Sequence, residues 1–186
     1  MIDNVPQPFA NLILLTGARE SGKTSLLIQV LEKCHEGGID AAGVISPAVF
    51  INGDKTGIDL LDVRSGERRT LAELRKTDSS GIMTDRWAFD GQTLEWGNHI
   101  LGSAIPCDLL LIDELGPIEL DKGLGLQNGI SALNSGDYRA AVVVIRPELI
   151  QKALRLWPGL AVFDLRPRRP NELMKMMGKI SDLLHQ

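Results

Sequence analysis

A short glycine-rich segment near the start of the chain has the residue types and spacing of a phosphate-binding loop. It reads GARESGKT from Gly17 to Thr24 and matches GxxxxGK[ST] at every required position. Glycines let the backbone turn tightly, and a helix that follows points its free N–H groups at an anion. We expect Lys23 to reach the β- and γ-phosphates and the Thr24 hydroxyl to bind Mg²⁺. The expected nucleotide-binding residues of this loop are Gly17, Ala18, Arg19, Glu20, Ser21, Gly22, Lys23, Thr24 and Ser25.

A second candidate motif is an apolar run that ends in two acids, LLLIDE, from Leu109 to Glu114. A phosphate loop needs a carboxylate at a strand end to hold the magnesium shell, and Asp113 has that position. Glu114 would lie near the γ-phosphate, where a carboxylate can orient and deprotonate a water molecule. Alone the pattern is weak, because acids end many strands as a solvated turn. Together with the loop it predicts a metal ligand at Asp113 and a catalytic base at Glu114, with Lys23 as the catalytic cation.

The residues around these motifs resemble a known family. The segment from Asp113 to Leu120, DELGPIEL, resembles the DEIGxMEL signature of the small nucleoside-triphosphatase family first named from thermophiles, whose human member is called cancer-related. Upstream, GVISP from Gly43 to Pro47, and then a hairpin with Gly57, Asp62 and Gly66, are similar to that family's GFYTPEVR…G…D…G region. The resemblance covers most of the chain. It implies a RecA-like P-loop core and Mg²⁺-dependent hydrolysis of several nucleoside triphosphates, including ATP and GTP.

The chain also departs from the family pattern. Val44 and Ile45 replace the family's Phe and Tyr, and Arg146 stands where many members have a Thr-x-His strand end. If that histidine senses the γ-phosphate, two readings are open. Either Arg146 replaces the sensor, or the sensor is lost and hydrolysis is slow or needs a partner protein. By resemblance, residues 112–119 form the second nucleotide-binding stretch.

Three arginines are further candidates for contact with the nucleotide. Arg19 belongs to the loop itself, Arg146 follows a predicted strand, and Arg166 follows the last one in the segment LRPRRP. In open α/β sheets ligands bind beyond the carboxyl ends of the parallel strands, where these residues are expected. Arg19 and Arg146 could stabilise charge on the transferred phosphoryl group. The alternative for each of the three is a solvated or ion-paired surface arginine.

The elements that must position these residues alternate between short apolar runs and amphipathic stretches, which is typical of an α/β protein. We predict one P-loop domain over residues 1–186, with a mostly parallel sheet flanked by helices, of the RecA-like type with an additional strand and a catalytic glutamate. Turn residues break up residues 48–71 and predict an antiparallel meander, inside an insertion of about residues 48–104. The predicted parallel strands are 11–16, 41–46, 107–113, 140–145 and 160–164, with a short strand at 87–89. The predicted helices are 22–36, 90–103, 122–135, 148–156 and 170–184, with Asp90 as an N-cap.

Composition limits the functional classes. Apolar residues make up 44% of the chain and charged residues 24%, and the net charge of −4 argues against a general nucleic-acid binder. The two cysteines, Cys34 and Cys107, have no metal-binding or redox spacing and are expected to be buried thiols. The start of the chain has no signal-peptide pattern and no run long enough to span a membrane, so we expect a cytoplasmic protein.

Hydrolysis of a nucleoside triphosphate is the leading hypothesis, with two alternatives. A small-molecule kinase would use the same loop and bind an acceptor under the insertion, but Glu114 has no evident use there. A nucleotide-dependent switch or adapter would hydrolyse negligibly. A guanine-specific switch should show NKxD, and the segment 75–78, RKTD, fails at the first position. No LSGGQ-like stretch supports an ABC-type ATPase.

Overall fold

The computed structural model describes residues 9–166 and 171–185. Nine strands form one mixed sheet, flanked on both faces by helices. The strands are β1 (Leu12–Thr16), β2 (Ala41–Ile45), β3 (Ala48–Ile51), β4 (Asp54–Asp62), β5 (Arg68–Leu74), β6 (Trp87–Phe89), β7 (Cys107–Leu115), β8 (Tyr138–Ile145) and β9 (Ala161–Asp164). The helices are α1 (Lys23–Glu36), α2 (Gly91–Gly102), α3 (Pro117–Leu120), α4 (Gln127–Ser135), α5 (Ile150–Leu156) and α6 (Glu172–Leu184), with a 3₁₀ turn at Pro147–Leu149.

The central parallel strands carry long apolar runs because both of their faces are covered. In β1, Leu12 and Leu14 pack into the core shared with α2, α4 and α5, whereas Ile13 and Leu15 pack under α1 and α6. All four leucine and isoleucine side chains are essentially inaccessible to solvent. This two-sided burial fixes the strand ends, and with them the loops that form the site.

The strand order is β6-β5-β4-β2-β7-β8-β1-β9, with β3 paired to β4. Strand β8 lies between β1, which leads into the phosphate loop, and β7, which carries the acid pair. All pairings among β2, β7, β8, β1 and β9 are parallel. The additional strand between the two motif-bearing strands confirms the predicted fold class.

The antiparallel meander is confirmed and extends the sheet beyond β2. Strand β4 pairs antiparallel with β2, and β5 and β6 follow in antiparallel register. The short strand at Trp87–Phe89 forms as predicted, and the carboxylate of Asp90 accepts the N–H of Thr93 at the start of α2. Helix α2 then packs back on β2 and α4.

One predicted helix was wrong at its start. The helix expected to begin at Lys122 begins at Gln127, and the short α3 precedes it. Gly123 and Gly125 adopt positive φ angles of 65° and 71°, so this segment is a loop. Strand β7 runs two residues past its predicted end, to Leu115. The predicted start of the closing helix at Pro170 lies outside the described residues.

None of the helices within residues 9–166 and 171–185 combines the length and apolar character that a membrane crossing requires. Both cysteines are buried and free, as expected, and burial raises the pKa of each thiol to about 11.

Candidate functional site: a phosphate loop beside two acids

The phosphate loop joins the end of β1 to the start of α1. Gly17 has a φ of 147°, and a Cβ atom there would lie 2.6 Å from the carbonyl oxygen of Leu165. Gly22 adopts a left-handed conformation directly before the first residue of α1. Other residues would be strained at both positions, because a side chain would clash at Gly17 and a positive φ is unfavourable at Gly22. The glycines of the motif are therefore required by the backbone path.

Lys23 lies at the centre of the site. Its ammonium donates hydrogen bonds to the carbonyls of Gly17 and Ala18, at 2.9 Å and 2.8 Å. Burial lowers the pKa of Lys23, the charge of Arg146 acts in the same direction, and the carboxylates of Glu114 and Asp113 oppose both. The lysine of the loop, both acids of the second motif and Arg146 are thus brought together, as the sequence predicted for a nucleotide site.

Two hydroxyl groups in this region point to a polar ligand. Thr16 Oγ1 and Ser21 Oγ are buried, and neither has a hydrogen-bond partner within the described part of the chain. Buried hydroxyls are normally paired, so one unpaired hydroxyl just before the glycine-rich loop and another within it call for an explanation. A phosphate with its hydration shell offers the acceptor that these groups lack. The loop therefore fits the anion that its sequence predicts.

Asp113 is buried at the carboxyl end of β7, with only 3% of its surface exposed. Its Oδ2 accepts the backbone N–H of Ser46 at 3.2 Å, and the Ser46 hydroxyl donates to the backbone carbonyl of Asp113. Burial raises the pKa of Asp113 to about 6, although Thr24 and Ser46 both favour the ionised form. Burial beside the first turn of α1 disfavours the charged form of this carboxylate, and a bound cation would stabilise that form.

Glu114 forms an ion pair with Arg146, whose Nε donates to the glutamate Oε1. The two side chains are about 29% and 31% exposed, so the pair is partly shielded from water. Arg146 follows directly after β8, the neighbour of β7, which places it opposite the end of the acid-bearing strand. The base candidate is therefore held by Arg146.

Glu119 shapes the turn after the acid pair. Its carboxylate accepts the N–H of Gly116 at 2.8 Å and that of Leu126 at 3.2 Å. It is almost fully buried, and burial raises its pKa. Sequence reasoning placed Glu119 in the second motif but gave it no separate function. The fold gives it one, because it ties the start of α3 to the loop before α4.

The remaining candidates lie at the edge of the site. Arg19 and Glu20 are exposed on the phosphate loop, and Ser25 is exposed in the first turn of α1. Arg166 follows β9 next to Leu165, whose carbonyl abuts Gly17, and its Nε is 3.0 Å from Asp164. That exposed ion pair agrees with the alternative that Arg166 is an ion-paired surface arginine. Its contact with nucleotide stays a prediction. The rest of the proline-rich segment, residues 167–170, lies outside the described residues.

Sequence reasoning missed Ser46, which holds Asp113 through two hydrogen bonds. The available signal was its position at the carboxyl end of a parallel strand, where side chains meet those of neighbouring strands.

The oxygen ligands at this site suit a magnesium ion. Thr24 and Asp113 supply a hydroxyl and a carboxylate, which Mg²⁺ prefers over nitrogen or sulfur. Within the described residues no group of three or more His, Cys, Asp or Glu side chains could hold a metal by itself. Mg²⁺ usually keeps water molecules and shares its coordination with substrate phosphates, so two protein ligands are sufficient.

Comparison with known proteins agrees with this geometry. A family model described as NTPase matches residues 12–177. The nucleoside-triphosphatase THEP1 of Caldivirga maquilingensis is 29% identical over 144 residues, which cover 77% of this chain and 81% of that protein. The crystal structure of THEP1 from Aquifex aeolicus superposes with a TM-score of 0.67 at 20% identity, over 89% of this chain and 96% of that one. The solution structure of a human cancer-related nucleoside triphosphatase gives 0.69 at 20% identity, over 93% and 97%. The family resemblance inferred from the motifs is thereby confirmed, and the chain belongs to the NTPase family.

Proposed function

We propose that this protein is a Mg²⁺-dependent nucleoside triphosphatase that hydrolyses ATP and GTP to the diphosphate and phosphate. The observation that carries the proposal is that Lys23, Asp113 and Glu114 lie close together where β1 and β7 end. The two acids raise the pKa of Lys23, and Lys23 lowers the pKa of Asp113. Membership of the NTPase family supports the reaction type. The base preference and the divalent cation are our proposals.

Binding is the task of the loop. The backbone N–H groups before α1 surround the β-phosphate, and the helix adds the partial positive charge of its N-terminus. Lys23, which donates to carbonyls of its own loop, exchanges these acceptors for phosphate oxygens. In that position the lysine offsets charge between the β- and γ-phosphates.

Thr24 and Asp113 would hold the magnesium ion, which supplies neutralisation of phosphate charge when it is bound. Ser46 keeps the Asp113 carboxylate oriented through its N–H. The fixed orientation means that little reorganisation is needed when the substrate arrives, which is the condition for effective electrostatic stabilisation.

Glu114 orients a water molecule for in-line attack on the γ-phosphorus and accepts its proton. The new P–O bond forms as the bond to the β–γ bridging oxygen breaks, and the diphosphate leaves with that electron pair. Arg146 holds the Glu114 carboxylate before the reaction. It also lies beside Lys23 and Glu114, where its guanidinium can bind a γ-phosphate oxygen.

The decisive experiment measures phosphate release from ATP, GTP, CTP and UTP with Mg²⁺, comparing the parent with Glu114→Gln. We expect release by the parent and a loss of roughly 100-fold or more in the variant, with nucleotide affinity kept within about twofold. Glu148→Gln is the matched control, because Glu148 is an exposed acid near Lys23 with no assigned task. Lys23→Ala should lose nucleotide binding altogether.

If Glu114→Gln hydrolyses as fast as the parent, Glu114 is not the base. If the parent binds nucleotide and releases no phosphate, the hydrolase proposal fails. The kinase and switch alternatives then take its place, and the search moves to a phosphoryl acceptor or a partner protein.

A further inference from the structure

The antiparallel extension begins at the edge of the sheet that carries the nucleotide site. Strand β2 ends at Ile45, which pairs with Leu61 of β4. The next residue, Ser46, binds Asp113, and the β3–β4 hairpin follows immediately. The part of β4 that precedes Leu61 therefore extends past the carboxyl end of β2. Lys55 lies in this part, near the start of β4.

The ammonium of Lys55 is half-buried and rests against an aromatic ring. Its Nζ is 5.4 Å from the centre of the Trp87 ring, and the Arg86 guanidinium carbon is 5.0 Å from the same ring. Arg86 also donates to the backbone carbonyl of Lys55 at 3.4 Å. One cation from β4 and one from the residue before β6 thus contact the same indole and form a positive cluster.

Lys55 differs from the other half-buried lysines in having no polar partner. Lys23 bonds to loop carbonyls and Lys152 to Asp121. In residues 9–166 and 171–185, the Lys55 Nζ makes neither a hydrogen bond nor an ion pair. Shielding a charge from water without a partner is unfavourable, so such a group is a candidate for ligand binding.

The acids that act on Lys55 belong to the nucleotide site. Burial and the charge of Arg86 lower the pKa of Lys55, whereas the carboxylates of Glu20, Glu114 and Asp113 act in the opposite direction. Glu20 lies on the phosphate loop and the other two form the acid pair. Lys55 thus lies beyond the carboxyl end of β2, on the side of the sheet where Ser46 binds Asp113.

We propose that Lys55 binds the terminal phosphate of a nucleoside triphosphate, so that the antiparallel extension contributes a second phosphate-binding lysine beside Lys23. The ligand is the γ-phosphate, which a nucleoside triphosphate carries through a phosphoanhydride bond and a nucleoside diphosphate lacks. Trp87 and Arg86 position the ammonium without neutralising it. This inference rests on the proposed nucleotide site. It goes beyond that site because the antiparallel extension belongs to neither the phosphate loop nor the acid motif.

The test compares the affinities of a non-hydrolysable ATP analogue and of ADP, each with Mg²⁺, for the parent and for Lys55→Ala. We expect the analogue to bind about tenfold more weakly or worse, and ADP to bind within about twofold of the parent. Lys55→Arg should recover most of the loss because it keeps the positive charge. Lys76→Ala is the matched control, since Lys76 is an exposed lysine just after β5, and it should change neither affinity.

Lys55→Met guards against a purely structural effect, because it keeps an unbranched stem to cover Trp87. A Met variant that folds like the parent and loses only the analogue supports the proposal, even if the Ala variant fails to fold. Unchanged affinity for the analogue, or equal losses for the analogue and ADP, overturns it. Binding is measured without turnover, so a parent that does not hydrolyse ATP defeats the proposed function and leaves this comparison valid.

Discussion

At the scale of single residues, the site is a small set of charges in which each group is held by another. Arg146 pairs with Glu114, Ser46 binds Asp113, and Lys23 donates to carbonyls of its loop. Such a set is organised before the substrate arrives, which is how a P-loop enzyme obtains most of its rate. Arg146 belongs to this set of charges through its ion pair with Glu114.

Replacing Arg146 with alanine tests that pair. We expect kcat for ATP to fall roughly 100-fold. Glu114 loses its ion-pair partner, and the γ-phosphate loses a charged hydrogen-bond donor. Affinity for ADP should stay within about twofold of the parent, since the pair adjoins the position of the missing phosphate. Steady-state kinetics and ADP titration measure the two quantities, and Arg146→Lys should recover part of the rate. A kcat within twofold of the parent would make Arg146 a surface arginine.

At the scale of elements, the turn between β7 and α4 follows directly after the acid pair. Glu119 is its central residue, because both of its carboxylate oxygens accept buried backbone N–H groups. Gly125 leaves room for this carboxylate, since a Cβ atom there would lie 2.1 Å from Glu119 Oε1. Gly125, one of the two glycines before the delayed start of α4, thus also makes room for the Glu119 carboxylate.

Removal of this carboxylate should destabilise the fold. Glu119→Ala leaves two buried N–H groups without acceptors, so the free energy of unfolding should fall by about 2–4 kcal/mol. Glu119→Gln keeps one acceptor oxygen and should lose less. Denaturant unfolding provides the measurement, with Glu32→Ala on the exposed face of α1 as control. A loss no larger than that of the control would mean that the turn is held by its apolar contacts alone.

At the scale of the whole molecule, burial of Asp113 makes the stability of the fold depend on pH. Its pKa of about 6 in the folded protein exceeds the reference value of 3.8 because burial disfavours the charged form. Below the reference pKa the carboxyl is neutral in both states and there is no penalty. As pH rises through the folded pKa, the native state must hold a buried charge, and stability is lost.

Asp113→Asn removes this dependence. Without Mg²⁺ and nucleotide, the variant should gain stability relative to the parent as pH rises from 4 to 7, by an amount on the order of 3 kcal/mol. Unfolding in denaturant at several pH values measures the difference, and Asp137→Asn, an exposed acid, is the control. A difference that does not change with pH would show that Asp113 is ionised throughout this range.

The phosphate loop, its lysine and the acid pair could all be predicted from sequence, because each motif is contiguous and its geometry follows from neighbouring residues. The parallel strands were equally visible, since burial on both faces gives unbroken apolar runs. The start of one helix was predicted wrongly. The glycines after Lys122 form a loop, so α4 begins at Gln127.

Only the tertiary structure decided which distant residues meet at the site. The strand order β4-β2-β7-β8-β1 decides these contacts. It brings Arg146 to Glu114 and Ser46 to Asp113, and it places Lys55 beyond the carboxyl end of β2. Strand order depends on the packing of whole strands and helices, and no local pattern in the chain records it. The sequence by itself therefore predicted a nucleoside triphosphate site and the residues of its loop. The fold decided what surrounds that loop, because contacts across a sheet join residues that are far apart in the chain.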